Sequence, residues 1–295
     1  MSSEPLFGTV CFIGIGLIGS SLARVIRRDG LAREIVACAR RKETLDTTMA
    51  LGLADRVTTD PAQAAEGADL IVICSPIGTY GAIAQAIAPV LQPGQIVSDV
   101  GSVKQAVIAA VTPHLPQGVH FVPGHPIAGT EHSGPESGFD TLFEGRWCIL
   151  TPQPGTDEAA IEKVAELWRR AGSRIDRMDA SHHDQVLAIT SHLPHLIAYT
   201  IVGTVFDLET STSQEVIQYS ASGFRDFTRI AASDPVMWRD IFMNNREAVL
   251  EMLGRFSEDL SRLQRAIRWG EADVLEDLFT RTRDVRRSIV DAGQL

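Results

Sequence analysis

The chain has 295 residues, room for two domains of about 150 each. Its composition, 44% hydrophobic and 22% charged, is that of an ordinary globular protein. A net charge of −10 without any basic tract argues against nucleic acid or an anionic membrane as partner. The N-terminus has no charged-then-apolar leader pattern, and no run of about 18 apolar residues is apparent. A cytoplasmic protein with no membrane span is therefore expected. Cys11, Cys38, Cys74 and Cys148 each sit in an apolar, strand-like run and form no C-x-x-C pair, as buried reduced thiols do.

In chain order, the first pattern is Thr9–Gly19, TVCFIGIGLIG. The apolar run Val10–Ile13 predicts a buried strand, and Leu22–Ile26 begins a helix. Between them Gly14, Gly16 and Gly19 form G-x-G-x-x-G in the setting that gives it meaning, strand before and helix after. Gly14 suits the tight turn, Gly16 lets a pyrophosphate approach the backbone, and Gly19 lets helix pack on strand. Ile15, Leu17 and Ile18 complete the loop, and the helix start offers free N–H groups to phosphates. The alternative is a purely structural turn.

Glu34–Ala39 predicts a second strand, and Arg40-Arg41-Lys42 follow it. An acidic residue usually stands here to bind the ribose of NAD. Its absence, with Arg40 and Arg41 in its place, favours NADP over NAD. The alternative is a solvated basic helix start with NAD held by backbone. Thr44–Leu51 and Ala62–Glu66 suggest helices, and Ala68–Cys74 a buried strand ending in Ser75-Pro76. Ile83–Ala88 is helical, Gln95–Asp99 a strand, and Val103–Ala110 a helix. The alternation argues for a mainly parallel, doubly wound sheet. It places Ser75, Pro76, Asp99, Gly101 and Ser102 on the ligand rim beside the glycine loop. Ser102 also suits a helix N-cap.

His120–Val122 is strand-like and leads into a predicted loop, Gly124–Glu131, where His125 stands between Gly and Pro, poorly placed for core packing. Trp147–Leu150 is a strand, Glu158–Arg170 a helix and Arg174–Met178 a last strand. From Ser181 onward only helical patterns appear. Asp184–Phe206 is apolar and interrupted by Pro194, whereas Ile241–Ile267 and Glu271–Val290 are amphipathic. The expected division is 1–180, a dinucleotide-binding domain, and 181–295, an all-helical domain apolar enough to dimerise. The eight histidines form no ligand set with Cys or Asp, so no metal is expected.

Four further motifs stand out: DVGSVK (Asp99–Lys104), GHPIAGTEHSG (Gly124–Gly134), SHLPH (Ser191–His195) and FRDFTRIAASDPVMWRDI (Phe224–Ile241). Together, in this order and across nearly the whole chain, they resemble the prephenate/arogenate (cyclohexadienyl) dehydrogenase family of tyrosine biosynthesis. The resemblance implies oxidative decarboxylation of prephenate or arogenate, with hydride passing to NAD(P), by a homodimer joined through its C-terminal helices. It implies that His125 is the catalytic base, that Ser102 bonds the same hydroxyl or the nicotinamide, and that a histidine of SHLPH contacts substrate. His195 is preferred for that contact, with His192 as support or packing. Arg229 would bind a substrate carboxylate in the two-pronged way open to Arg and closed to Lys. Arg225 ranks behind it, because Asp226 or Asp240 could pair with it instead. Glu131 would repel an anionic substrate unless paired, and is expected to orient or gate. His132, Asp184, Trp238 and Arg239 belong to the pattern by position, Trp238 as core. The absence of a mutase segment before the glycine loop, or a regulatory domain after Leu295, suggests a monofunctional enzyme.

Two other classes fit the opening motif. A β-hydroxyacid-type dehydrogenase shares the layout but commonly relies on a catalytic Lys in the second domain, and no Lys occurs between Asp179 and Leu295. A non-catalytic NAD(P)-sensing regulator would not need His125, Ser102, His195 and Arg229 together.

Overall fold

The structure, a computed structural model, describes residues 4–207, 215, 218–219 and 222–291. The first part runs β1 (Phe7–Ile13), α1 (Leu17–Asp29), β2 (Ala32–Cys38), α2 (Lys42–Ala50), β3 (Arg56–Thr58), α3 (Pro61–Ala65), β4 (Leu70–Ile73), α4 (Tyr80–Ile87), β5 (Ile96–Asp99), α5 (Gln105–Val111), β6 (His120–Val122), β7 (Gly124–Pro126), β8 (Trp147–Leu150), α6 (Glu158–Arg170) and β9 (Arg174–Arg177). Helices then follow: α7 (Ala180–Leu187), α8 (Leu193–Phe206), α9 (Ser222–Thr228), α10 (Pro235–Asn244), α11 (Arg246–Trp269) and α12 (Ala272–Asp291).

Alternation along the strands builds the core. In β1, Val10 and Phe12 join one apolar cluster, with α1 and α6, while Cys11 and Ile13 join another, with α3, α4 and α5. Both faces are covered, so the strands read as unbroken apolar runs. Full burial of a side chain such as Phe12 is worth about 1.5–3 kcal/mol.

The main sheet is wholly parallel, in the order β3-β2-β1-β4-β5-β6. The chain works outward from β1 to β3, then crosses to β4 on the other flank of β1. Ligands bind at this switch, beyond the carboxyl ends of β1 and β4.

The region after β6 differs from the sequence expectation. Gly124–Pro126 is a strand, not a loop, and β7, β8 and β9 form a separate three-stranded sheet. Pro123 separates it from β6. Having no N–H to give a ladder, Pro123 offers only its carbonyl, which accepts from Thr151 N at 2.9 Å.

Asp179 caps α7, accepting from the backbone of Ser181 and His182. α7, a π-turn at Ala188–His192, and α8 make one helical run, and the π-turn is the distortion that Pro194 imposes at the start of α8. This run, Ala180–Phe206, is long and apolar enough to cross a membrane by length and composition, which corrects the expectation that no such stretch exists. It carries His183, Asp184 and His192, buried and hydrogen-bonded within the protein, while Ile189, Val202 and Phe206 on the same run are exposed.

By compactness the chain forms one unit from Met1 to Arg246 and another from Glu247 to Leu295. The first unit takes in α7 to α10 because Trp238 and Ile241 join a core cluster of the sheet. In the second, Leu260, Ile267, Trp269 and Phe279 are exposed on two amphipathic helices.

Candidate active site

The glycine loop lies at the switch point. Gly14 has φ 94°, and a Cβ there would stand 2.7 Å from the backbone of Cys74 and Ser75, where β4 ends. A Cβ on Gly19 would meet the Gly14 carbonyl at 2.8 Å. At Gly16 a Cβ would meet nothing within 4 Å. Gly16 is the N-cap of α1, with no side-chain cap and no acidic residue in the first turn. The open space, uncapped N–H groups and absent carboxylate fit a dinucleotide pyrophosphate. Ile15 is buried in the core, and the half-buried Leu17 and Ile18 pack partly against it. Ser75 shares a hydrogen bond with Thr79, and Pro76 is exposed beside it. Arg40 and Arg41 are exposed after β2, with no ion-pair partner among the described residues.

Asp99 and Gly101, expected on the cofactor rim, turn inward instead. Asp99 is fully buried and accepts from Lys104 Nζ, Gly101 N and Gly124 N. Lys104 is equally buried and donates also to the Gly124 carbonyl at 2.7 Å. Burial pushes the Asp99 carboxyl up and the Lys104 ammonium down, and each is drawn back by the other's charge. The pair ties the segment that carries Ser102 to the strand that carries His125.

Ser102 is not a cap. Helix α5 begins at Gln105, and its free N–H groups are met from far along the chain: Asp184 accepts from Lys104 N at 2.7 Å and Gln105 N at 2.9 Å. The half-buried Ser102 hydroxyl makes no hydrogen bond among the described residues and is open to a ligand.

His125 is 8% exposed. Its Nδ1 lies 2.8 Å from His183 Nε2, and His183 Nδ1 lies 2.8 Å from Asp184 Oδ1. Burial holds the His125 imidazole well below the ordinary histidine value, and the nearby His183, Lys104 and His192 push the same way. At neutral pH it is an uncharged base.

In the helical part, His195 is half-buried and stacks on Trp238, with ring centroids 3.6 Å apart. Its Nδ1 meets the Ser191 carbonyl at 2.9 Å. A carbonyl only accepts, so Nδ1 carries the proton and Nε2 is free. His192 is fully buried, takes a hydrogen bond from Asn245 on Nδ1, and has its pKa lowered to about 4 by burial. His195 is thus half-exposed at the site and His192 packed into the core. Trp238 is core, as expected, and is also the platform beneath His195.

Arg229 reaches Glu131 at 3.2 Å, across 98 positions of sequence. The Glu131 carboxyl lies below its usual range, through backbone hydrogen bonding and the Arg229 charge. This supplies the pairing that Glu131 was expected to need. Burial lowers the His195 pKa, and the Arg229 charge pushes the same way. Arg225 pairs with Asp226 and is not brought to the site, while Asp240 pairs with Arg239.

Family models describe both parts of such a chain. The model of the prephenate dehydrogenase nucleotide-binding domain matches residues 22–177, and that of the prephenate dehydrogenase dimerization domain matches residues 179–281. The chain belongs to the prephenate dehydrogenase family. Within it, the chain is 41% identical to the cyclohexadienyl dehydrogenase of Zymomonas mobilis, over 96% of this chain and 97% of that one. It is 30% identical to the prephenate dehydrogenase of Bacillus subtilis, over 94% of this chain and 75% of that one. Among solved structures it resembles A. aeolicus prephenate dehydrogenase in complex with hydroxyphenyl propionate and NAD+, with a TM-score of 0.89, 35% identity, and coverage of 96% and 98%. Synechocystis arogenate dehydrogenase follows the same fold, with a TM-score of 0.79, 27% identity, and coverage of 95% and 99%.

Sequence reasoning gave no role to His183 or Lys104 and named Asp184 only by motif. The signal for the first and last was the adjacent His183-Asp184, one helical turn after the cap at Asp179.

Proposed function

We propose that this family member is an NAD(P)-dependent dehydrogenase that oxidatively decarboxylates prephenate, arogenate or both. The observation that carries the proposal is His125: buried, uncharged, committed at Nδ1 to His183, and tied through Lys104 to the segment bearing the free Ser102 hydroxyl. The cofactor, when bound over the glycine loop, supplies the hydride acceptor. The Nε2 lone pair of His125 takes the proton of the substrate C4 hydroxyl as the C4 hydride departs, and Ser102 orients that hydroxyl. The C1 carboxylate then leaves as carbon dioxide, its bonding electrons complete the aromatic ring, and the product is 4-hydroxyphenylpyruvate or tyrosine. General-base assistance of this kind is worth about 10²–10⁴ in rate. Arg229, exchanging Glu131 for a substrate carboxylate, and His195 on its Trp238 platform hold the other end.

We assign NADP as the preferred nucleotide, since no carboxylate ends β2 to repel a 2′-phosphate and Arg40 and Arg41 have no ion-pair partner among the described residues. The functional division falls at residue 180, and the protein works as a homodimer covering the apolar side chains exposed on α11 and α12. A biosynthetic enzyme of small acids with four free cysteines belongs in the cytoplasm.

Initial rates with prephenate or arogenate, each with NAD or NADP, test this directly. Turnover confined to NADP is expected, and Arg40→Ala with Arg41→Ala should raise its Michaelis constant about tenfold. Equal use of NAD would make those arginines surface charges. No turnover in any combination would remove the enzymatic assignment.

A further inference from the structure

His125 could present either ring nitrogen to a substrate, and the two tautomers differ in whether Nε2 accepts or donates. The structure removes that freedom from two residues away. Asp184 accepts two backbone hydrogen bonds, from Lys104 and Gln105, and the His183 contact lies on one of the same oxygens, at 2.8 Å. A carboxylate so placed accepts, so His183 Nδ1 carries hydrogen. His183 Nε2 is then a lone pair, and at 2.8 Å from His125 Nδ1 it can only accept. His125 Nδ1 therefore carries hydrogen, and Nε2 is left as the acceptor. His183 and Asp184 are 0% and 1% exposed, so water does not compete for these bonds.

We propose that Asp184 and His183 form a buried positioning chain that fixes His125 as an Nε2 acceptor and receives, on His183, the positive charge that proton abstraction creates. The proposal rests on His125 being the base of the reaction above. The substrate O–H bond breaks and an N–H bond forms at His125 Nε2. The Nδ1–H bond of His125 then breaks and a new N–H bond forms at His183 Nε2. His125 ends neutral with its hydrogen on Nε2, and the extra proton rests on His183 in contact with the Asp184 carboxylate. No electrons move between the two rings, and the chain resets when the proton leaves through His125 after product departs.

The surroundings favour this resting place. The groups that bear on His125 are His183 on α7, Lys104 before α5 and His192 at the π-turn, with the buried Cys148 thiol on β8 at its backbone, while Asp99 stands behind Lys104 and Asp184 behind His183. None of the carboxylates touches His125, whereas Asp184 touches His183. Burial depresses both imidazoles, but the Asp184 hydrogen bond draws only that of His183 back up. A proton arriving at His125 is therefore more stable one ring further in.

His183→Gln separates positioning from proton storage, because a Gln oxygen still accepts from His125 Nδ1 and cannot take its proton. In the full-length enzyme with saturating cofactor, kcat should fall about tenfold at pH 7. The acid limb of the kcat profile should move down by about one pH unit, since His125 would now titrate alone and away from a carboxylate. Michaelis and cofactor dissociation constants should stay within about twofold. A limb that does not move, whatever happens to kcat, overturns the proposal. The unaltered enzyme gives a second test: ¹⁵N NMR of its histidines should show hydrogen on Nδ1 of both His125 and His183, and an Nε2–H form of either overturns it. His125→Asn keeps the underlying assignment apart. Full turnover in that variant sinks the base itself, whereas a dead His125→Asn beside an unmoved His183→Gln limb sinks only the chain.

Discussion

The glycine loop and the histidine site are built in opposite ways. The loop works through backbone: a left-handed turn at Gly14, uncapped N–H groups at the start of α1, and side chains such as Ile15 turned away into the core. The proposed catalytic site is built from side chains gathered from far apart, with His125 on β7, His183 and Asp184 on α7, and Lys104 before α5. A backbone site is fixed by neighbours in sequence and tolerates any side chain that leaves the turn alone. A side-chain site depends on each member being polar, buried and satisfied, so removing one partner leaves another stranded.

The contrast can be tested by substitution, beginning with the largest effect. His125→Asn should lower kcat about 10²–10⁴-fold while cofactor affinity, read by quenching of protein fluorescence, stays within about twofold. A parallel loss of affinity would mean the two sites are not separable. Lys104→Met should cost about 3–5 kcal/mol in urea unfolding, because Asp99 remains buried without its counter-charge. A loss under about 1 kcal/mol would show that Asp99 is reached by solvent.

Acid should weaken the side-chain site next. His192, with its pKa lowered to about 4, is neutral in the fold where an unfolded histidine would be charged. Such a group contributes stability above the unfolded pKa of about 6.5 and loses it as pH falls through the folded value. Its share of that loss, down to pH 4, is on the order of 3 kcal/mol. His192→Asn should flatten the slope of unfolding free energy against pH over this range, and an unchanged slope would exonerate His192. The smallest effects belong to the loop, and they split. Gly14→Ala should destabilise by at least about 1–3 kcal/mol, through its left-handed φ and the 2.7 Å approach of the new Cβ to the Cys74–Ser75 backbone. Gly16→Ala should leave thermal stability within about 0.5 kcal/mol and weaken cofactor binding, since its Cβ meets only the space a pyrophosphate would take.

The same contrast explains what the sequence disclosed. Strand, glycines and helix follow one another within Val10–Ile26, and local rules recover them along with the parallel sheet. His125, Ser102, His195 and Arg229 were singled out through motif order, and their roles are part of the proposal. The second sheet was not, because β7 is three residues long beside Pro123 and carries no periodicity. The inward turn of Asp99 was hidden as well: a carboxylate at the end of a strand reads as a ligand until Lys104 is seen folded back on it. The capping of α5 by Asp184, 80 positions from Lys104, is invisible to any local rule, and Ser102 took that role by default. Arg225 and Arg229 look alike four residues apart, and only Glu131 tells them apart.

Asp184 lies past the point where the two family segments meet, yet it finishes the first turn of a helix in the nucleotide-binding half. That junction is consequently no seam at which the enzyme can be cut. A chain ending near Asp179 would keep every residue of the dinucleotide fold and still lack the carboxylate that starts α5. Exchanging halves between relatives would have to carry residues 180–184 along with the first half.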